Sequence, residues 1–242
     1  MSGHSKWSKI KRKKQANDQD RGKIFSKLSR LITLAVIQGG GITDPDGNVK
    51  LRLAVEKARQ LNMPKENVKR AIDRGTGPQK QQLTEVVYEA FACGGAALII
   101  LATTDNHNRT LTEIKNVLER NGGKLGNKGT VAYLFDRCGL VTFNKKQANE
   151  ENILEFMSRI SALDFDQDSQ YYYVYIPFEF LGRVKNSLGK LVAEAVEIDY
   201  KPKASVAISD KEQARILTLI ELLDELDDVH NVFANFDVVG QS

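Results

Sequence analysis

The residues with the clearest chemical reach crowd the start of the chain. Six cations fall in nine positions, Lys6, Lys9, Lys11, Arg12, Lys13 and Lys14, with Trp7 among them. Cations at this density neutralise phosphates and release condensed counterions, so binding that depends on them weakens steeply as salt rises. Trp7 adds a ring on which a nucleobase can stack. A solvated tail is the plainer reading of such a run. Against it, the cations continue as Arg21, Lys23, Lys27 and Arg30. Lys23, Lys27 and Arg30 are spaced by four and three, which sets them on one helix face. Arg70 and Arg74 follow at the same spacing of four and complete the candidate nucleic-acid-binding set.

Other chemistries are weaker in the sequence. Gly122-Gly123-Lys124-Leu125-Gly126-Asn127-Lys128-Gly129-Thr130 is glycine-rich and basic, but five residues after Gly122 and Gly123 stand Asn127 and Lys128. The phosphate loop of nucleotide hydrolases needs glycine there. The segment reads as a helix end and a loop into a strand, with a touch on a phosphate backbone as the functional alternative. Asp164, Asp166 and Asp168 open like a calcium loop, yet Ser169 and Tyr175 stand where glycine and glutamate are required. His4, His107 and His230 lie far apart, and Cys93 and Cys138 are too few for a zinc site or a disulfide framework. No catalytic set, metal site, cofactor or small-molecule substrate is expected, and the two cysteines suit a reduced, cytoplasmic setting. Asp105–Thr110 is a dense polar stretch before a helix and reads as its cap, with a binding role as the alternative. Glu221, Asp224, Glu225, Asp227 and Asp228 read as a solvated acidic face, or as a surface for a basic protein partner.

These residues need elements to carry them. The chain has 242 residues, 41% hydrophobic and 27% charged, enough to bury real cores. No apolar run approaches the length of a membrane span, so a membrane partner is not expected. The net charge of +4 hides a division. Residues 1–80 hold 19 Lys/Arg against 7 Asp/Glu, a net +12, and residues 81–242 hold 16 against 24, a net −8. Opposite signs in two parts of one chain suggest a basic module for a polyanion and an acidic remainder with another task.

The basic part is helical by pattern. Ile24, Leu28, Leu31, Ile32, Ala35 and Val36 form one stripe of a helix that starts near Asp18 and stops at Gly39-Gly40-Gly41. Asp44-Pro45-Asp46-Gly47 is a turn. Helices over Val49–Leu61 and Pro64–Arg74 follow, with Gly75 at the end. Three short basic helices invite a helix-turn-helix reading. The Gly39–Asn48 link is longer than that motif uses, however, and Val49–Leu61 has few base-reading side chains beyond Arg52, Arg59 and Gln60. Phosphate contact with little sequence choice fits better.

The remainder alternates. Strands are expected at 84–92 and 96–104 around a Gly94-Gly95 hairpin, at Val131–Phe135 and Leu140–Phe143, at Tyr171–Ile176, Glu194–Tyr200 and Ala204–Ile208, and at Val229–Val238. Helices are expected from a Thr110/Glu113 capping box to Asn121, over Ala148–Ile160, after Pro177, and from a Ser209/Glu212 capping box to Leu226 with Leu217, Ile220, Leu223 and Leu226 buried. The fold class is α+β and multidomain.

Met1-Ser-Gly-His-Ser-Lys-Trp-Ser-Lys-Ile-Lys, Arg21-Gly-Lys-Ile-Phe-Ser-Lys-Leu, Asn62-Met-Pro-Lys-Glu-Asn-Val, Arg70-Ala-Ile-Asp-Arg-Gly-Thr-Gly, Thr104-Asp-Asn-His-Asn-Arg-Thr, Asn121-Gly-Gly-Lys-Leu-Gly and Asn231-Val-Phe-Ala-Asn-Phe-Asp resemble the YebC family. The resemblance runs from residue 1 to about 238 and departs at Ala92–Gly95 and around Leu163–Gln170. It implies a bacterial cytoplasmic protein of three domains. These are a basic arm plus three-helix bundle over 1–80, an α+β domain over 81–131 and 204–242, and a further α+β domain over 132–203 inserted into it. It also implies a transcriptional regulator that binds DNA. Relatives such as the mitochondrial translational activator of cytochrome oxidase imply contact with RNA and the ribosome instead. The partner expected is therefore DNA or ribosomal RNA, with the transcription machinery or the ribosome beside it. An enzyme with a site between the α+β domains and a protein-interaction scaffold are the competing classes; the first lacks a converging set of titratable groups.

Overall fold

A computed structural model of the chain describes residues 21–76 and 82–238. The fold is α+β. Helices α1 (Arg21–Gln38), α2 (Val49–Gln60) and α3 (Lys65–Asp73) pack on one another. Their shared core joins Leu28, Ile32, Ala35 and Val36 of the α1 stripe to Leu51, Met63 and Ala71, with Ile24 partly buried against it; Leu31, expected in that stripe, is only partly buried and lies outside this core. Asn48 ties the unit together. Its Oδ1 accepts the Leu51 N–H at 3.1 Å, capping α2, while its Nδ2 donates to the Ala35 carbonyl of α1 at 2.8 Å. Asn62, at φ 57°, turns the chain out of α2, and Pro64 sits at the start of α3, where a missing N–H costs nothing. Gly75 follows α3 where a Cβ would lie 2.6 Å from the Val36 Cβ, so α3 can end against α1 only with glycine there.

The first sheet has the order β3-β1-β2-β9, from β1 (Thr84–Phe91), β2 (Ala97–Thr104), β3 (Lys124–Leu125) and β9 (Val229–Ala234). The β1–β2 hairpin turns at Gly94 and Gly95, both at positive φ (69° and 77°), which a residue with a Cβ enters only with strain. Central β2 is buried along its whole length. Leu98, Ile100 and Ala102 meet helices α4 (His107–Arg120) and α7 (Asp210–Asp224), while Ala97, Ile99 and Leu101 meet Val131, Phe135 and Phe233 on the other face. Strand β8 (Val206–Ile208) pairs in parallel with β10 (Phe236–Val238) beside it.

The second sheet has the order β5-β6-β4-β7, from β4 (Phe135–Asn144), β5 (Asp164–Gln167), β6 (Tyr171–Pro177) and β7 (Ala195–Pro202). Val141, Phe143, Val174 and Ile176 pack on Ile153, Phe156 and Ile160 of α5 (Glu150–Ile160). The Phe143 and Phe156 rings meet edge-on with centroids 5.2 Å apart.

Several elements differ from the sequence pattern. Val131–Phe135 and Leu140–Phe143 are not two short strands. A 3₁₀ turn covers Ala132–Leu134, and one unbroken strand, β4, runs through Gly139. Glycine suits that point because a Cβ would come within 2.7 Å of Leu181 and Ile176 carbons. The segment after Pro177 is mostly 3₁₀, over Phe178–Arg183, with only a single α turn, α6 (Val184–Ser187). The expected closing strand over Val229–Val238 breaks at Asn235. The Asn235 side chain takes the Ala97 N–H at 2.7 Å, its own N–H reaches the Ala97 carbonyl, and the flanking pieces serve different sheets. In α7 the buried residues are Ile216, Leu219, Ile220 and Leu223, a stripe rotated from the expected one, with Leu217 and Leu226 only partly covered.

Candidate nucleic-acid interface

Helices α1 and α3, with Arg74 at the C-cap of α3, carry every candidate cation among the described residues; Lys6, Trp7, Lys9, Lys11, Arg12, Lys13 and Lys14 lie outside the described residues. Arg21 and Lys23, at the start of α1, are exposed, as are Arg70 and Arg74 on and after α3. Arg70 and Arg74 join Arg30 on the wall of a cleft of about 430 Å³ between α1 and α3. Gly22, Ser26, Ser29 and Thr33 line the α1 side at helical spacing, and their small size leaves the room. Phe25, Met63 and Leu83 give an apolar portion, and Asn67 and Asp105 add polar groups. The Arg70 guanidinium is steered by the Asn67 side chain and the Glu66 carbonyl. Periodicity could place the arginines; it could not single out Ser26, Ser29 or Asn67, which carry no charge signature.

Lys27 and Arg30 have other engagements. Lys27 donates to the Asp224 carbonyl at the end of α7. Arg30 Nη1 lies 2.6 Å from Asp228 Oδ1, and its Nη2 lies 3.7 Å from Asp105. Asp228 is 3% exposed, so it does not belong to a solvated acidic face. Its second oxygen takes Arg109 at 2.7 Å and the Thr110 hydroxyl, while Arg109 also bridges to Asp105 at 2.9 Å. Burial alone would raise the Asp228 pKa, but the Thr110 and Arg109 hydrogen bonds and the Arg30 charge outweigh it and hold the carboxyl below its ordinary 3.8.

This network also corrects the start of α4. The cap is Asn106, whose Oδ1 accepts the Arg109 N–H at 3.1 Å, and not Thr110. Thr110 is buried one turn in, where its hydroxyl sits 2.7 Å from Thr104 Oγ1 and serves Asp228. The polar stretch Asp105–Thr110 thus caps a helix and also fastens the helical unit to the first sheet.

A second buried carboxylate organises the glycine-rich loop. Glu89 of β1, 4% exposed, accepts the N–H groups of Gly129, Val131 and Ala132 at 2.6, 2.6 and 2.8 Å. Burial pushes its pKa up; the three backbone donors and nearby Lys128 prevail and lower it. The loop leaves Lys124 and Lys128 exposed on a fixed frame, and Gly122 and Gly123 end α4 as the spacing predicts.

Among the described residues, the cysteines and histidines stand apart from one another. Burial, reinforced by Asp199, pushes the Cys138 thiol up to about 12, far from a thiolate nucleophile. His107 contacts Thr84, and His230 contacts Thr103. Among the described residues no group of His, Cys, Asp or Glu could hold a metal ion, and no helix is long and apolar enough to cross a membrane.

Comparison with known proteins gives this architecture a family. The family model described as the TACO1/YebC protein N-terminal domain matches residues 5–78, and the one described as the TACO1/YebC second and third domain matches residues 83–236. The chain belongs to the TACO1/YebC family. A "probable transcriptional regulatory protein" of Aquifex aeolicus is 43% identical over 98% of this chain and 96% of its own. A protein of the same description from Natranaerobius thermophilus is 41% identical over 98% and 97%. The crystal structure of a conserved hypothetical protein from Aquifex aeolicus superposes with a TM-score of 0.83 at 40% identity, covering 93% of each chain.

Proposed function

We propose that this chain is a non-enzymatic regulator of gene expression that grips the phosphate backbone of nucleic acid through its basic N-terminal unit. The observation that carries the reading is the segregation of charge, net +12 over residues 1–80 and net −8 over the rest. Relatives described as probable transcriptional regulatory proteins support it and make DNA the first target to test. In this reading Lys6 to Lys14 and Trp7 supply the arm, Arg21 and Lys23 extend it, and Arg70 and Arg74 add a second contact. The chain works as three units, 1–80, 81–131 with 204–242, and 132–203, acting in the cytoplasm. The acidic units present the basic one or meet the transcription machinery. Lys27 and Arg30 serve the attachment between units more than the ligand.

One feature favours RNA, and with it a ribosome-linked role in translation, as a second reading. Helix α2 leans on the second sheet through Lys57–Glu197 at 2.8 Å and through Gln60, which donates to the Glu194 carbonyl at 2.6 Å. A recognition helix needs a free flank to enter a major groove, so these contacts count against a base-reading role for α2.

The test is binding of the full chain to labelled duplex DNA and to RNA across salt. If about six phosphates are engaged, affinity falls about a thousandfold between roughly 50 and 200 mM salt. Neutralising Lys11, Arg12, Lys13 and Lys14 to Gln lowers both the affinity and the salt slope. A flat salt response, or unchanged binding by that variant, overturns the proposal. Crosslinking in cells followed by sequencing separates the targets: promoter DNA selects transcription, and ribosomal RNA selects translation.

A further inference from the structure

We propose that the cleft between α1 and α3 seats one nucleotide of a single-stranded nucleic acid, with a backbone phosphate held by Arg70 and Arg74 and the base laid against Phe25. This deepens the nucleic-acid reading and rests on it. The cleft is concave and about 430 Å³, within the range of pockets that enclose small ligands. Three guanidinium groups face it against one carboxylate, Asp105, and Arg109 already pairs with that carboxylate. Arg30 is committed to Asp228, which leaves Arg70 and Arg74 for an incoming anion. Arg74 has no acidic partner among the described residues, and Arg70 is aimed by the neutral Asn67 side chain, which orients its donors without cancelling the charge.

The rest of the lining separates a nucleotide from a bare phosphate. Ser26 and Ser29 bring hydroxyls that can serve a phosphate or a sugar, and Phe25 and Met63 bring an apolar surface that an inorganic anion would not use. Phe25 is half-buried, so part of its ring stays available for stacking. A duplex keeps its bases paired and stacked inside, and its backbone follows a convex surface. Only an unstacked unit of a single strand can lower both phosphate and base into a recess of this kind.

The experiment measures binding of the full chain to a fluorescein-labelled single-stranded 12-mer in RNA and DNA forms, and to a hairpin duplex of matching sequence. Two variants are compared with the parent: Ser29→Trp, which fills the cleft without removing charge, and Arg74→Gln, on an exposed position where folding is not at stake. Circular dichroism checks that both keep their helices. Expected are about tenfold or greater losses of single-strand affinity in both variants, with hairpin affinity unchanged in Ser29→Trp. Comparison of the RNA and DNA arms tells which sugar the hydroxyls prefer. Single-strand binding by both variants equal to the parent overturns the nucleotide cleft and leaves the backbone-gripping proposal standing. Failure of the parent to bind any of the probes at low salt overturns both.

Discussion

Arg30 of the first helix and Asp228, at the entrance to the last strand of the first sheet, meet at 2.6 Å across the boundary between the helical unit and the acidic part of the chain. Arg30 is 22% exposed at its side chain and Asp228 only 2%. The carboxylate also serves Arg109 and Thr110 and so holds α1, α4 and the start of β9 at one point. Removing one partner of a buried charge cluster costs more than the cluster contributes, because the survivors are left uncompensated. Asp228→Ala is expected to lower stability by about 3 kcal/mol, and Arg30→Ala by less, since Arg109 still covers the carboxylate. Thermal and denaturant unfolding of the two single variants and the double variant give the coupling. A coupling near zero would show that the bridge holds nothing.

Acid should loosen the same joint. The Asp228 carboxyl titrates below its ordinary 3.8 and the Glu89 carboxyl below 4.5. A carboxyl whose folded pKa is depressed binds protons more readily in the unfolded chain. Its stabilisation is therefore complete above the unfolded value and is lost as pH falls through the folded one. Stability should hold from neutral pH down to about 5 and drop below about 4. Asp228→Asn should flatten that acid limb, as seen in melting temperatures measured from pH 3 to 7; an unchanged limb would locate the sensitivity elsewhere.

Glu89→Gln tests the loop frame. Glutamine keeps one acceptor but turns an NH₂ toward N–H donors that Glu89 now satisfies from Gly129, Val131 and Ala132. The expected cost is about 2 kcal/mol, with amide hydrogen exchange faster across residues 126–132. Exchange that stays as slow as in the parent would mean the loop is held without the carboxylate.

Cations that look alike in the sequence should part in experiment. Arg74→Ala is expected to weaken nucleic-acid binding by about fivefold or more with little change in melting temperature. Lys27→Ala, which loses the contact to the Asp224 carbonyl, should lower melting temperature more than affinity. The reverse pattern would place Lys27 at the ligand and Arg74 in the scaffold.

Gly75→Ala probes how closely α3 approaches α1. The added Cβ would meet Val36 at 2.6 Å and the Thr33 carbonyl at 2.9 Å, so a backbone or a packed side chain must move. Overpacking of this kind costs about 1–3 kcal/mol. A variant that melts with the parent would show that the helices yield without cost.

What could be read from the sequence was local. The capping box of Ser209 and Glu212 forms because its partners are three residues apart; the Glu212 carboxylate accepts the Ser209 N–H at 2.9 Å. The stripe of α1 follows from spacing alone. Asp228 could not be told from Glu225 and Asp227 by composition, since what sets it apart is an arginine far back on α1. Thr110 looked like a cap because Glu113 follows it, yet Asn106 takes that place and a long-range carboxylate claims the hydroxyl. Strand β5 was hidden because Asp164 and Asp166 disfavour strands; it is an edge strand, where such residues are tolerated, and Lys201 pairs with Asp164 at 2.6 Å. Of the candidate site, arginine spacing was visible, but only the fold separates Arg70 and Arg74 from Lys27 and Arg30.

The position of β9 bears on how the protein is made. Every strand of the second sheet lies within residues 135–202, whereas β2, buried on both faces, waits for a neighbour, β9, that is encoded after the whole of that sheet. While the chain emerges, the later-encoded sheet can close first, and the earlier hairpin is left with a greasy, unpaired margin, the kind of surface on which nascent polypeptides clump. Release of a chain cut short before Val229 should therefore yield aggregates instead of a smaller soluble protein, and size-exclusion chromatography of such a fragment would reveal the difference.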